Sequence, residues 1–210
     1  MQEKVAELLL KIEAVFLRPN DPFTWASGIK SPIYCDNRLI LSYPAVRRQI
    51  EEALSEMIMQ NYPTVELLAG TSTAGIAHAA LASEILELPM AYVRGAAKDH
   101  GRQNQIEGRI LVNQRVVVVE DLISTGGSVI EVVDALRDAK VDVLGIASIF
   151  NYEMARAVDR FKEADVKNVS LSNFSALIDV ALEMGKIHID DVKKLRAFQK
   201  DPTNEEWQTM

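Results

Sequence analysis

The chain is short of cysteine, of long apolar runs and of positive charge. It holds one cysteine, Cys35, in 210 residues. No disulfide can form within it, and a reducing cytoplasm is the expected setting. No stretch approaches the roughly 18 consecutive apolar residues that a membrane-spanning helix needs. Residues 1–16, MQEKVAELLLKIEAVF, carry charges throughout where a secretion signal would carry an apolar run and a small-residue cleavage site. A cytosolic protein with no membrane partner is expected. Lys and Arg number 23 against 30 Asp and Glu, a formal net charge of -7. An acidic chain repels nucleic acid unless it carries a local basic face, so no DNA or RNA partner is expected. Internal repeats and low-complexity linkers are lacking as well.

What remains is ordinary globular material, 48% hydrophobic and 25% charged. That is enough for a single domain with a full core, with room for a small extra lobe. Val5, Leu8, Leu9, Ile12, Val15 and Phe16 recur at helical spacing and predict an amphipathic first helix. RPNDPFTWASGIKSPIY, rich in Pro, Gly and Ser, reads as loop or short strands. Ser42 and Pro44 open a second helix, Ser as cap and Pro at the first helical position. Its apolar face is Val46, Ile50, Leu54, Met57 and Ile58.

From there strands and helices alternate. Strands are expected at Val65–Ala69, Met90–Val93, Val143–Phe150 and Val166–Leu171, and at Arg109–Val112 and Arg115–Val119 joined by a hairpin-like Asn113-Gln114 junction. Helices are expected at Ile76–Leu86, Val129–Leu136 and Glu153–Lys162, with a largely helical tail from Asn173 to Phe198. Strands separated by helices of about ten residues imply an α/β fold: a mainly parallel central sheet covered on both faces by helices. Ligands of such sheets bind beyond the carboxyl ends of the strands.

That rule directs attention to Val116-Val-Val-Val-Glu-Asp-Leu-Ile-Ser-Thr-Gly-Gly-Ser128. Four valines make a strand buried on both faces, and Glu120 and Asp121 stand at its end. A turn of small and hydroxylic residues then enters a helix. A helix amino terminus offers unpaired N–H groups and partial positive charge, which suit phosphate. Gly126 and Gly127 admit a close backbone approach, and Thr125 and Ser128 add hydroxyls. Two acids beside a phosphate make sense when the ligand also carries sugar hydroxyls or Mg²⁺. Gly70 to Gly75 repeats the strand–turn–helix logic. It has the spacing of a nucleotide-binding phosphate loop, but Ile76 and Ala77 replace the required Lys and Ser/Thr, so a nucleoside-triphosphatase is excluded. Residues 94–109, RGAAKDHGRQNQIEGR, set four cations against two acids inside this acidic chain. Gly95, Gly101 and Gly108 punctuate a stretch without apolar period, which reads as a mobile basic flap.

VVVVEDLISTGGS resembles the 5-phosphoribosyl-1-pyrophosphate (PRPP) motif of type I phosphoribosyltransferases. YVRGAAKDHG resembles the catalytic flap of the orotate phosphoribosyltransferase family, and FTWASGIKSP resembles its base-covering amino-terminal segment. Together these resemblances span nearly the whole chain. They imply a type I phosphoribosyltransferase-like sheet, with residues 1–40 as a hood over the base and 95–108 as the flap. They also imply transfer of phosphoribose from PRPP to orotate, in UMP biosynthesis, by a homodimer with shared sites and Mg²⁺ bound with PRPP. Glu120, Asp121, Leu122, Ile123, Ser124, Thr125, Gly126, Gly127 and Ser128 would hold PRPP. Glu120 and Asp121 would face the ribose hydroxyls and Ser124–Ser128 the 5-phosphate, with Ser124 also at the base. Gly70 to Gly75 would approach pyrophosphate. Arg94, Lys98 and His100 would meet the departing pyrophosphate across the dimer interface, with Lys98, His100 and Asp121 catalytic. The chain departs from the pattern at Gly95, where many members have a basic residue, at Ala26, where many have lysine, and at Tyr152, near which many have an arginine on orotate. Purine and uracil phosphoribosyltransferases, and a PRPP-sensing regulator, share the motif but not the hood and flap strings.

Overall fold

The computed structural model describes residues 1–25, 28–95 and 105–210. Ala26, Lys98 and His100 lie outside these, as does most of the expected flap.

Helix α1 (Gln2–Lys11) ends earlier than its apolar spacing suggests. Glu13 takes a positive φ of 56°, which turns the chain out of the helix. Val15 and Phe16 therefore belong to strand β1 (Val15–Leu17), paired antiparallel with β4 (Ile33–Cys35). Between them β2 (Phe23–Thr24) pairs with β3 (Lys30–Ser31). These are two small two-stranded ribbons ahead of the central sheet. Asn37–Ser42 form a 3-10 helix, and α2 (Pro44–Asn61) follows with Pro at its start. Ser42 closes the 3-10 turn and does not cap α2; Tyr43 occupies the cap position without a side-chain bond.

The central sheet then forms from β5 (Leu67–Thr71), β6 (Met90–Val93), β7 (Ile106–Glu107), β8 (Arg115–Ile123), β9 (Asp142–Asn151) and β10 (Asn168–Asn173). Its order is β10-β9-β8-β5-β6-β7. All pairs are parallel except β6 with β7. Helices α3 (Ala74–Leu86), α4 (Gly127–Asp138), α5 (Ala155–Glu163), α6 (Phe174–Glu183) and α7 (Ile189–Lys200) complete the fold. The mainly parallel α/β sheet is as expected.

Burial on both faces follows strand alternation. Val117 and Val119 join the core shared with α1, α2, α3, α6 and α7, while Val116 and Val118 pack toward α4 and Ala157 of α5. All four valines are fully buried, a stabilisation of about 1.5–3 kcal/mol each before chain entropy is counted. Tyr62 lies across Gly145, and its hydroxyl donates toward the Ile146 and Lys167 carbonyls, 3.1 Å from each. His78 of α3 is buried, its Nδ1 2.6 Å from Glu51 Oε1 of α2.

Two further expectations fail locally. Arg109–Val112 is not a strand: Leu111 and Gln114 close a turn on each other, and Leu111 and Val112 are exposed. There is no hairpin into β8, because β8 is flanked on both sides by the parallel strands β5 and β9. Helix α5 begins at Ala155 rather than Glu153. Glu153 has φ of 57° and accepts from the Ser175 amide and hydroxyl and from Gln199 instead.

Candidate active site

Strand β8 runs past the two acids to Ile123, so Glu120 and Asp121 sit within its last turns of ladder rather than beyond it. Glu120 is buried. Its Oε1 accepts from the Thr71 hydroxyl at 2.7 Å and from the Asp121 amide at 3.0 Å. Burial first, and then the neighbouring Asp121 carboxyl, push the Glu120 carboxyl up to about 8, against the opposing pull of the Thr71 hydroxyl. Asp121 is more open and faces a cleft of about 420 Å³. Cys35, Asp36 and Arg38 from below the hood, Ser72–Ala74 from the β5–α3 turn, and Leu122 and Ser128 share that cleft.

The turn after β8 leads straight into α4. Gly126 has φ of 74° and occupies the cap of α4, which starts at Gly127 without a side-chain cap. Its leading N–H groups are left for a ligand. The Phe161 ring lies 3.2 Å from where a Gly126 Cβ would stand. Both the dihedral and this crowding demand glycine. The second turn is equally tight. A Cβ on Gly75 would collide with Thr71 Oγ1 and the Val119 carbonyl, so the absence of a side chain there lets Thr71 reach Glu120. A cis peptide joins Ser72 to Thr73.

The fold thus gathers Glu120, Asp121, Leu122 and Ser128 at one cleft with the Gly70–Gly75 turn, and places Ser124, Thr125, Gly126 and Gly127 at the entry to α4. Ile123 is buried beneath them. Arg94 lies 3.3 Å from Glu107 and borders an adjoining hollow with Thr71, Ser72 and Ser128. Tyr152 is 3% exposed and packs among Trp25, Phe150 and Phe174. It is a core residue, not a cleft residue. Cys35 donates to Asn37 Oδ1 at 3.3 Å. Burial, then the charges of Asp121 and Asp36, push its thiol up, so it stays protonated and is no nucleophile.

Residue reading missed several members of the site. Asn37 donates to the Asp121 carbonyl, Arg38 bonds Asp36 through two nitrogens at 2.6 and 2.8 Å, and Arg160 of α5 bonds Thr125. Asn37 carried no local signal in the sequence. Arg160 looked like any charge on a solvated helix face.

A family model described as the phosphoribosyl transferase domain matches residues 38–184. An orotate phosphoribosyltransferase of Bacillus cereus (strain ATCC 10987 / NRS 248) is 58% identical over 209 residues, covering 100% of both chains. The crystal structure of orotate phosphoribosyltransferase from Aeropyrum pernix superposes with a TM-score of 0.75 at 27% identity, over 88% of this chain and 99% of that one. A Leishmania donovani UMP synthase structure aligns with a TM-score of 0.80 at 25% identity, over 94% of this chain and 42% of that longer one. Relatives of known name thus align along the whole chain, and this chain belongs to the phosphoribosyl transferase domain family, among the orotate phosphoribosyltransferases.

Proposed function

We infer that the chain transfers the 5-phosphoribosyl group of PRPP to orotate, giving orotidine 5'-monophosphate and pyrophosphate, in pyrimidine nucleotide synthesis. The observation that carries this reading is one cleft bordered by an acid pair, the Ser72–Ala74 turn and the underside of the hood. Family membership narrows the base to orotate.

The reaction separates ribose C1 from pyrophosphate while the base nitrogen attacks from the opposite face. Positive charge grows on the ribose and negative charge on the leaving group, so catalysis is mostly positioning and electrostatics. Asp121 and Glu120 accept from the ribose hydroxyls and hold the ring. Ser124–Ser128 and the first amides of α4 take the 5-phosphate, with Ser124 also touching the base. The Ser72–Ala74 turn lies beside the pyrophosphate, and Arg94, Lys98 and His100 supply its cations from the flap of a partner subunit. With Ala26 and Tyr152 offering no cation, the orotate carboxylate falls to backbone groups.

Asp121 offers a part-exposed carboxyl at the cleft, with Asp36 on the same wall. That donor set fits Mg²⁺ arriving with the diphosphate, which keeps most of its own waters. When bound, the ion neutralises charge on the leaving group. The homodimer with shared sites, and a cytoplasmic location, complete the proposal. No helix among the described residues is long and apolar enough to cross a membrane.

The test is an orotate absorbance assay with PRPP and Mg²⁺, run beside uracil, adenine, guanine and hypoxanthine. Loss of orotate absorbance with orotate alone consumed supports the reading; turnover of another base, or of none, overturns it.

A further inference from the structure

The 5-phosphate turn is held from behind by one side chain. Arg160, in the last turn of α5, donates from Nη1 to the Thr125 carbonyl at 2.8 Å and to Thr125 Oγ1 at 3.2 Å. The same guanidinium lies close to Gly127: a Cβ there would stand 2.9 Å from Nη1 and 3.5 Å from Cζ. The next residue, Phe161, packs on Gly126, and Ala157 one turn earlier lies 3.5 Å from the Gly126 Cβ position. The turn is therefore clamped between its own helix and α5, with a permanent positive charge directly beneath it.

A turn that presents amides to an anion gains twice from such a clamp. The Thr125 carbonyl is tied back, so its negative end points away from the ligand and its neighbouring amides point toward it. The guanidinium also adds positive potential at a place already favoured by the helix amino terminus. The bare Gly127 also leaves room for Arg160: a side chain there would press on Nη1 and shift the guanidinium.

The geometry points to Arg160 as a positioning residue for the 5-phosphate, acting through Thr125 and Gly127 and selective for that end of the substrate. This rests on the assignment of Ser124–Ser128 to the 5-phosphate. Ribose 5-phosphate and pyrophosphate are fragments that probe the two ends of the substrate separately, so their binding by titration calorimetry separates the possibilities. Binding of ribose 5-phosphate to the parent protein tests the assignment, and its absence there would remove the assignment itself. In Arg160→Met, which keeps the aliphatic stem against Phe161, ribose 5-phosphate affinity falls about tenfold or more, the scale of a lost charge-assisted bond. Magnesium pyrophosphate affinity stays within about twofold of the parent. Arg160→Gln, which retains one donor for the Thr125 carbonyl, falls between them and serves if the Met variant does not fold. Unchanged ribose 5-phosphate affinity, or equal losses for both fragments, would overturn the role given to Arg160.

Discussion

Asn37 donates its side-chain amide to the backbone carbonyl of Asp121 at 2.7 Å, across 84 residues of sequence. The amino-terminal ribbons and the acid pair are thereby tied together, since Asn37 stands two residues after the end of β4. It is fully buried and also accepts from Cys35. Asn37→Ala leaves the Asp121 carbonyl without that donor. A loss of about 1–3 kcal/mol in denaturant unfolding is expected, the scale of a buried unsatisfied group, together with a raised KM for PRPP. A variant equal to the parent in both measurements would separate Asn37 from the site.

Glu120 sets a pH dependence of known sign. In the folded chain its carboxyl holds a proton up to about 8, from an ordinary value of 4.5. Between those values the folded state binds more protons than the unfolded state, so this group's contribution is fully present below 4.5 and is lost as pH rises toward 8. Glu120→Gln has no proton to release. The melting temperature of the variant should therefore gain on that of the parent as pH rises from 5 to 8.5. Parallel profiles would refute the burial argument. Ribose hydroxyls favour the ionised carboxyl, so binding of ribose 5-phosphate near neutral pH should also release a proton in the parent and less in the variant, read as a buffer-dependent calorimetric heat.

Two glycines separate stability from chemistry. Gly145→Ala drives a methyl into the Tyr62 ring. A loss of roughly 1–3 kcal/mol is expected from overpacking, with both KM values intact, because Gly145 lies in the half of β9 away from Asn151. Gly75→Ala wedges Thr71 away from Glu120. It should lower kcat/KM out of proportion to its effect on melting temperature. The reverse pattern for the two variants would mean that the close packing at Gly75 does not serve the acid pair.

The flap prediction concerns Lys98. Lys98→Ala should lower kcat by about 100- to 1000-fold, the effect of losing one preorganised charge partner, with PRPP binding largely kept by the cleft. If sites are shared between subunits, exchange of Lys98→Ala with Asp121→Asn subunits restores activity, because one site of the mixed dimer regains both parts. Steady-state kinetics before and after exchange measure this; no recovery would place each site within one chain.

The sheet was legible because buried parallel strands announce themselves as apolar runs, and Val116–Val119 is such a run. Met90–Val93 came out at its observed bounds, while β5 lay two residues later than read, since Gly70 and Thr71 looked like turn residues but still pair with β6, and Gly70 with β8 as well. Local backbone turns were not legible. Glu13 and Glu153 adopt positive φ without being glycine; the first is held by local helix-end bonds of the Glu13 and Ala14 amides to Leu10 and Leu9, the second by bonds from Ser175 and Gln199. Leu111 and Val112 read as strand by composition but have no partner strand. At the site, residue types at strand ends were visible, whereas Asn37 and Arg160 act across distant chain segments and leave no local pattern.

The aromatic stack beneath the hood carries one more implication. Trp25 rests on Tyr152 and Phe198, and Phe198 in turn packs edge-on against Trp207. The footing of Trp25 is thus supplied by residues far along the chain. Contacts of such long sequence separation carry the largest loop-closure entropy, so the amino-terminal ribbons settle only after the sheet and α7 beneath them are in place.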